Sequence, residues 1–153
     1  MSSAVEAVSA AGIEYDVIRH GPVGSVAEAA AAQRVEVRDL VKTLVVRRAD
    51  DDYLFVLVPG DRSISWPRLR ALLGVSRLSM PDAATAREAT GYERGTITPF
   101  GSRRPWPVIA DESTRGRTIS LGAGERGVAL RVGADAAIEA LGGSFADVTD
   151  LDS

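Results

Sequence analysis

The chain has 153 residues, of which 45% are hydrophobic and 25% charged, the make-up of one ordinary globular domain over residues 1–153, with enough length for a core and no room for a second domain. It contains no cysteine and a single histidine, His20, which excludes thiol nucleophiles, disulfide frameworks and the usual zinc or iron–sulfur ligand sets. The net charge of -3 argues against a protein that coats nucleic acid; no run free of charged residues exceeds eight, against the roughly 18–20 of a membrane span, and the N-terminus lacks the basic start and apolar core of a secretory signal, so a cytoplasmic address without a membrane partner is expected.

Ser3 and Glu6 have the spacing of a capping box, and Val5, Val8 and Ala11 recur at helical intervals until Gly12, predicting a short first helix. Residues 13–17 alternate apolar and polar as a half-buried strand running towards His20, which Gly21, Pro22 and Gly24 break. Ser25 and Glu28 repeat the capping box ahead of an alanine-rich helix over 26–33. Residues 40–46 are apolar and β-branched enough for a buried strand, with Leu40, Lys42, Leu44 and Val46 on one face. After an acidic turn at 50–52, residues 53–58 read as the antiparallel return strand of a hairpin, closed by Pro59, Gly60 and Asp61.

Ser65 caps the next helix, with Pro67 in its first turn, Gly74 beyond its end and Leu69, Leu72 and Leu73 as its inner face. A short strand over 75–80 and a helix over 83–90, opened by Pro81 and Asp82, follow. Residues 91–104 form a loop in which three glycines and one proline alternate with aromatic and basic residues, a composition suited to close approach of backbone to a ligand. Strands over 108–111, 118–121 and 128–132, a helix over 134–141 and a short segment over 145–148 complete the chain. This order alternates too irregularly for a doubly wound sheet. The fold class expected is α/β of the α+β type, a mixed, mostly antiparallel sheet flanked by helices.

Of the eighteen basic residues, Lys42 alone is lysine. The arginine bias reflects GC-rich coding and carries no message about mechanism. Its exception is a position to examine, since ammonium and guanidinium are not interchangeable where a compact, movable cation must reach one polar atom; from the residues alone, Lys42 on a strand reads first as an edge gatekeeper against aggregation. Asp111 beside Glu112 is a pair able to orient water, though a strand-end carboxylate reads first as a turn former.

Three separated segments carry a resemblance. The strand Val41-Lys42-Thr43-Leu44-Val45, the loop from Thr90-Gly91-Tyr92 through Gly95-Thr96-Ile97-Thr98-Pro99-Phe100-Gly101, and the turn Gly124-Glu125-Arg126-Gly127 resemble, in order and spacing, the YbaK/ProX family of single-domain aminoacyl-tRNA deacylases, relatives of the editing domain of bacterial prolyl-tRNA synthetase. Residues 13–20 and 145–148 are similar to the family's first strand and tail. The resemblance implies the YbaK/ProRS-associated fold, an aminoacyl-tRNA partner, hydrolysis of a wrongly attached aminoacyl ester, and no metal or organic cofactor. It makes Lys42 the principal functional residue and places Tyr92, Gly95, Thr98, Pro99, Phe100, Gly101 and Gly122 at the substrate. Where the family's Cys-tRNA-Pro deacylases carry a serine in the late glycine turn and an aspartate shortly after it, this chain has Gly122 and Ala129.

An aminoacyl ester is already activated, so a hydrolase has mainly to position it and stabilise the developing oxyanion. Lys42 can set its ammonium against the carbonyl or the terminal ribose and phosphate, with backbone N–H groups of residues 95–101 as further donors. With no cysteine, a covalent acyl-enzyme is not expected. His20 reads first as a surface or hydrogen-bonding residue and second as a pocket contact. Arg103 and Arg104 either meet acceptor-stem phosphates or form a solvated turn. Tyr92 and Phe100 are candidates to stack on the terminal adenine, with core packing as the other reading of Phe100; Trp66 and Trp106, each beside a proline, read as packing residues. The expected function is trans-editing of a mischarged small amino acid on tRNA, tRNA-Pro by family analogy, with prolyl-tRNA synthetase as a partner that lends tRNA affinity and DNA playing no part. The rivals are a non-catalytic tRNA-end, synthetase or small-ligand binding module of the same fold, and a hydrolase of other acyl esters.

Overall fold

A computed structural model describes residues 3–152. The helices are α1 (Ser3–Ala10), α2 (Val26–Gln33), α3 (Trp66–Leu73), α4 (Ala83–Thr90) and α5 (Ala134–Ala140), and the strands are β1 (Tyr15–Arg19), β2 (Val41–Ala49), β3 (Asp52–Pro59), β4 (Arg62–Ile64), β5 (Val108–Asp111), β6 (Thr118–Gly122), β7 (Val128–Gly133), β8 (Ser144–Ala146) and β9 (Thr149–Leu151). No helix among the described residues is long and apolar enough to cross a membrane.

The helix ends are set by local chemistry. At α2, Ser25 Oγ accepts from the Glu28 N–H (3.1 Å) and the Glu28 carboxylate accepts from the Gly24 N–H (2.6 Å), the reciprocal arrangement that the sequence spacing predicts, displaced by one residue on the return bond. At α4 the Asp82 carboxylate accepts from the Thr85 N–H at 2.8 Å, which, with the Thr85 side chain, holds its pKa below the ordinary value. Gly91, at φ +83°, ends that helix.

The sheet is mixed and mostly antiparallel, as expected, but it is divided. Antiparallel β1-β7-β6 forms one layer; β2-β3-β5-β8, antiparallel between β2 and β3 and parallel beyond, forms the other; β4 and β9 make a short antiparallel ribbon. Tyr53, Phe55 and Leu57 of β3 pack into the main core with β6, β7 and α5, while Leu54, Val56 and Val58 pack into a second core with Leu69 of α3 and Val148. β3 is thus buried on both faces, which is why its sequence is a continuous apolar run.

Several expectations change. Leu72 is 52% exposed: Leu69 and Leu73, four residues apart, take the inner stripe of α3, and Leu72 projects past it. Residues 75–80 contribute a single bridge, Ser79 to Arg47, instead of a strand, and the closing segment is two strands, β8 and β9, with Val148 buried between them.

Asp111, 1% exposed at the end of β5, is a turn former. Its carboxylate accepts from the Ser113 N–H (3.1 Å), the Ser113 hydroxyl and the Val148 N–H (3.3 Å). Burial pushes its pKa up, but the bonds from Ser113, Thr149 and Val148 outweigh it and the net shift is downward. A carboxyl whose folded pKa lies below its unfolded value stabilises the fold above the unfolded pKa, about 3.9, and loses that contribution as pH falls through the folded value. Asp111→Asn is therefore expected to unfold at lower denaturant than wild type at pH 7, with the gap closing below about pH 4; urea titrations at pH 7 and pH 3 measure it, and a gap that persists unchanged at pH 3 refutes it.

Candidate active site

The two sheets meet at one parallel bridge, between Leu40 and Ser120. Ser120 is fully buried and its hydroxyl donates to Gln33 Oε1, while Arg131 holds the Gln33 carbonyl at 2.7 Å. From this seam β2 and β6 diverge, and a cleft of about 710 Å³ opens between them, within the range of small-molecule sites. Its walls are the edge of β2 over 41–45, the end of β6 with the turn after it, the start of α4 and Arg94, Gly95 and Ile97; His20, Val23 and Met80 also line it.

Lys42 lies in this wall, half-buried on the sheet face it shares with Leu44 and Val46. Its Nζ donates to the Arg62 carbonyl at 3.2 Å. Among the described residues no carboxylate lies within ion-pair distance of it, so the ammonium keeps donors for a ligand. His20 gives its Nδ1 to the Gly21 carbonyl at 2.9 Å, which leaves Nε2 of the neutral ring as an acceptor. Its backbone N–H donates to Gly127 O at 2.9 Å, tying the end of β1 to the late glycine turn.

Gly95, at φ +88°, faces open space in the cleft. Gly122 has a different reason to be glycine: a Cβ there would sit 2.8 Å from the Ile97 carbonyl oxygen and 3.2 Å from that of Thr96. Gly124 N donates to Thr96 O at 2.9 Å. The missing side chain at 122 thus lets residues 95–97 lie directly on β6, and a serine in that position would push them off.

Tyr92 stands behind the wall. Its ring is buried and its hydroxyl donates to Phe100 O at 2.6 Å and pairs with Ser3 Oγ at 3.0 Å; burial raises the phenol pKa, against the pull of the Ser3 bond. Thr98, Pro99 and Phe100 are buried beside it, outside the cleft lining, and Gly101 packs against Ser3 O and the Tyr92 hydroxyl. Neither Tyr92 nor Phe100 shows a face to a base. Arg103 reaches the Glu88 carbonyl at 3.3 Å, and the guanidinium of Arg104 lies 4.2 Å over the Trp106 ring; both are exposed and neither lines the cleft.

The structure therefore brings Lys42, His20, Gly95 and Gly122 together and sets Tyr92, Thr98, Pro99, Phe100 and Gly101 as the frame of the loop. Sequence reading passed over Thr43, Asp82, Arg94 and Ser120, all in the lining. The helix cap at Asp82 was legible, but no spacing says that this cap opens into a cleft.

The model of the aminoacyl-tRNA editing domain matches residues 20–139. The chain belongs to that family. This is the relationship to which the strand around Lys42, the glycine loop and the late glycine turn pointed. A candidate Cys-tRNA(Pro)/Cys-tRNA(Cys) deacylase of Enterococcus faecalis is 27% identical to this editing domain over 116 residues, 75% of this chain and 71% of that protein. The proline–tRNA ligase of Thermosipho africanus is 35% identical over 89 residues, 58% of this chain but only 16% of the ligase. The crystal structure of a hypothetical protein superposes with a TM-score of 0.89 at 26% identity, covering 97% of this chain and 100% of that one. That of a candidate trans-editing enzyme for prolyl-tRNA synthetase has a TM-score of 0.87 at 24% identity over 98% and 99%, a likeness of fold.

Proposed function

We propose that this editing domain is a trans-editing deacylase that hydrolyses the ester of a mischarged small amino acid on tRNA, with tRNA-Pro as the carrier. One observation carries the reading. The Lys42 ammonium, with no carboxylate partner among the described residues, stands in the wall of a cleft whose lining includes the small residues Ala86, Gly122 and Ala129. Water adds to the ester carbonyl; the ammonium and backbone N–H groups of the wall stabilise the oxyanion. The intermediate collapses by breaking the bond to the ribose oxygen, which takes up a proton and leaves as the hydroxyl. The amino acid departs as the free acid. His20 Nε2 is a contact for the ribose or the attacking water, and Arg103 and Arg104 are positions for acceptor-stem phosphates.

Selection is by size, the second sieve of double-sieve editing: small acyl groups enter and the prolyl ring does not. The net charge of -3 makes intrinsic tRNA affinity low, since such affinity comes from neutralising phosphates, and prolyl-tRNA synthetase is the partner that would raise it. Deacylation of Ala-, Cys- and Ser-tRNA-Pro beside Pro-tRNA-Pro tests the reading. Selective release of one small residue is expected, and Pro-tRNA-Pro is spared. If every ester survives while binding is retained, the binding-module reading replaces this one.

A further inference from the structure

β2 has a partner strand on one side only. Its other edge is pinned at its two ends, by Leu40 to Ser120 and by Arg47 to Ser79. The Arg47 N–H donates to Ser79 O (2.7 Å) and the Ser79 N–H to Arg47 O (3.1 Å), so both backbone groups of Arg47 point away from β3. Phe55, opposite Val45, gives its N–H to Pro107 O at 2.8 Å, on the β5 side, which makes Val45 and Phe55 a pair without mutual hydrogen bonds. Both observations lead to the same alternation. Thr43 and Val45 turn their N–H and C=O groups to the unpaired edge, and that edge is the wall of the cleft.

Neither residue has a backbone partner on that side among the described residues, and Thr43 Oγ1 is likewise buried without one. Orphaned backbone groups at a largely buried position are costly unless water or a ligand satisfies them. Extending the register of the Arg47–Ser79 bridge would bring Pro81 opposite Val45, and proline has no N–H to offer; beyond it the chain turns into α4. Thr43 is left open.

An aminoacyl group is a single amino-acid residue, whose amine and carbonyl stand in the same relation as the N–H and C=O of a strand residue. Ser79 shows how such a residue sits on this edge, with one bond given and one received. We infer that the aminoacyl group of the substrate docks as a one-residue strand opposite Thr43, its ammonium donating to Thr43 O and its carbonyl accepting from the Thr43 N–H. The inference rests on the deacylase reading above. Residues opposite each other in a ladder send their side chains to the same face, so the acyl side chain enters the side of Val41 and Val45, where Ala86 and Leu121 also line the cleft. The ester carbonyl then lies one residue from Lys42.

The test compares alanyl-tRNA-Pro with propionyl-tRNA-Pro, which keeps the ester and the methyl but has no amine, each rate normalised to that ester's uncatalysed hydrolysis. Loss of a charge-assisted hydrogen bond predicts a fall in kcat/KM of about tenfold to a hundredfold for the propionyl ester. Thr43→Pro, which removes the donor at an edge position where proline is tolerated, should cut kcat/KM for the alanyl ester by at least about tenfold with the thermal midpoint close to wild type. Should that variant not fold, the substrate pair decides alone. Equal normalised turnover of the two esters by wild type overturns the docking and leaves the deacylase reading standing; no turnover of either removes both.

Discussion

On the deacylase reading, Lys42→Ala is expected to lower kcat/KM for deacylation by about a hundredfold to a thousandfold, the scale of losing one preorganised donor to an oxyanion, with the protein still folded. The fold survives because Lys42 is half-buried and its one hydrogen bond, to the Arg62 carbonyl, is long at 3.2 Å. Leu44 and Val46 on the same face keep their packing. Lys42→Arg does not restore the rate, since a guanidinium is wider and planar and cannot take the position of a compact ammonium between the strand and the ester. Single-turnover deacylation with a thermal melt of each variant measures this. If Lys42 serves only to keep the edge of β2 from pairing with other chains, the alanine variant would be fully active yet self-associate, and light scattering beside the rate assay separates the two.

Gly124→Ala is expected to carry a large cost to stability. Gly124 has φ +79°, and an added Cβ would lie 2.5, 3.0 and 3.2 Å from Cε1, Cδ1 and Cζ of Tyr92. That ring is held against stepping aside, because its hydroxyl is fixed by Phe100 O and Ser3 Oγ. Left-handed backbone and overpacking together predict a loss of about 2–5 kcal/mol. Gly95→Ala is the internal comparison: its φ is +88°, but nothing lies within 4 Å of the added atom, so only the backbone cost of about 1–2 kcal/mol is expected. Urea denaturation of both variants measures the difference, and equal destabilisation would refute the role given to the Tyr92 ring.

Legibility in the sequence follows the range of the interactions. The Ser25–Glu28 capping box, the β2–β3 hairpin and the singular Lys42 are local and were readable, whereas Ser3, expected to cap α1, lies in its first turn and gives its hydroxyl to Tyr92. β4 and β9 were not, because a three-residue ladder joining 62–64 to 149–151 leaves no periodic trace. Tyr92 shows the same limit at the site. An aromatic residue in a glycine-rich loop suits stacking on a base as well as propping the loop, and the contact that decides is with Gly124, thirty-two positions along the chain. The free edge of β2 was hidden for a further reason: alternation tells which face a side chain takes, not whether a neighbouring strand exists.

The seam between the sheets has a consequence for how selectivity can drift. Because β2 and β6 touch at the Leu40–Ser120 bridge and then part, the mesh of the proposed sieve is an angle as much as a set of lining side chains. Gln33 bonds Ser120 and Arg131, register partners on β6 and β7, and so ties the end of α2 to one side of the seam only. A change of bulk at Gln33, itself in the cleft lining, would move that wall for every acyl group at once and leave the β2 wall where it is.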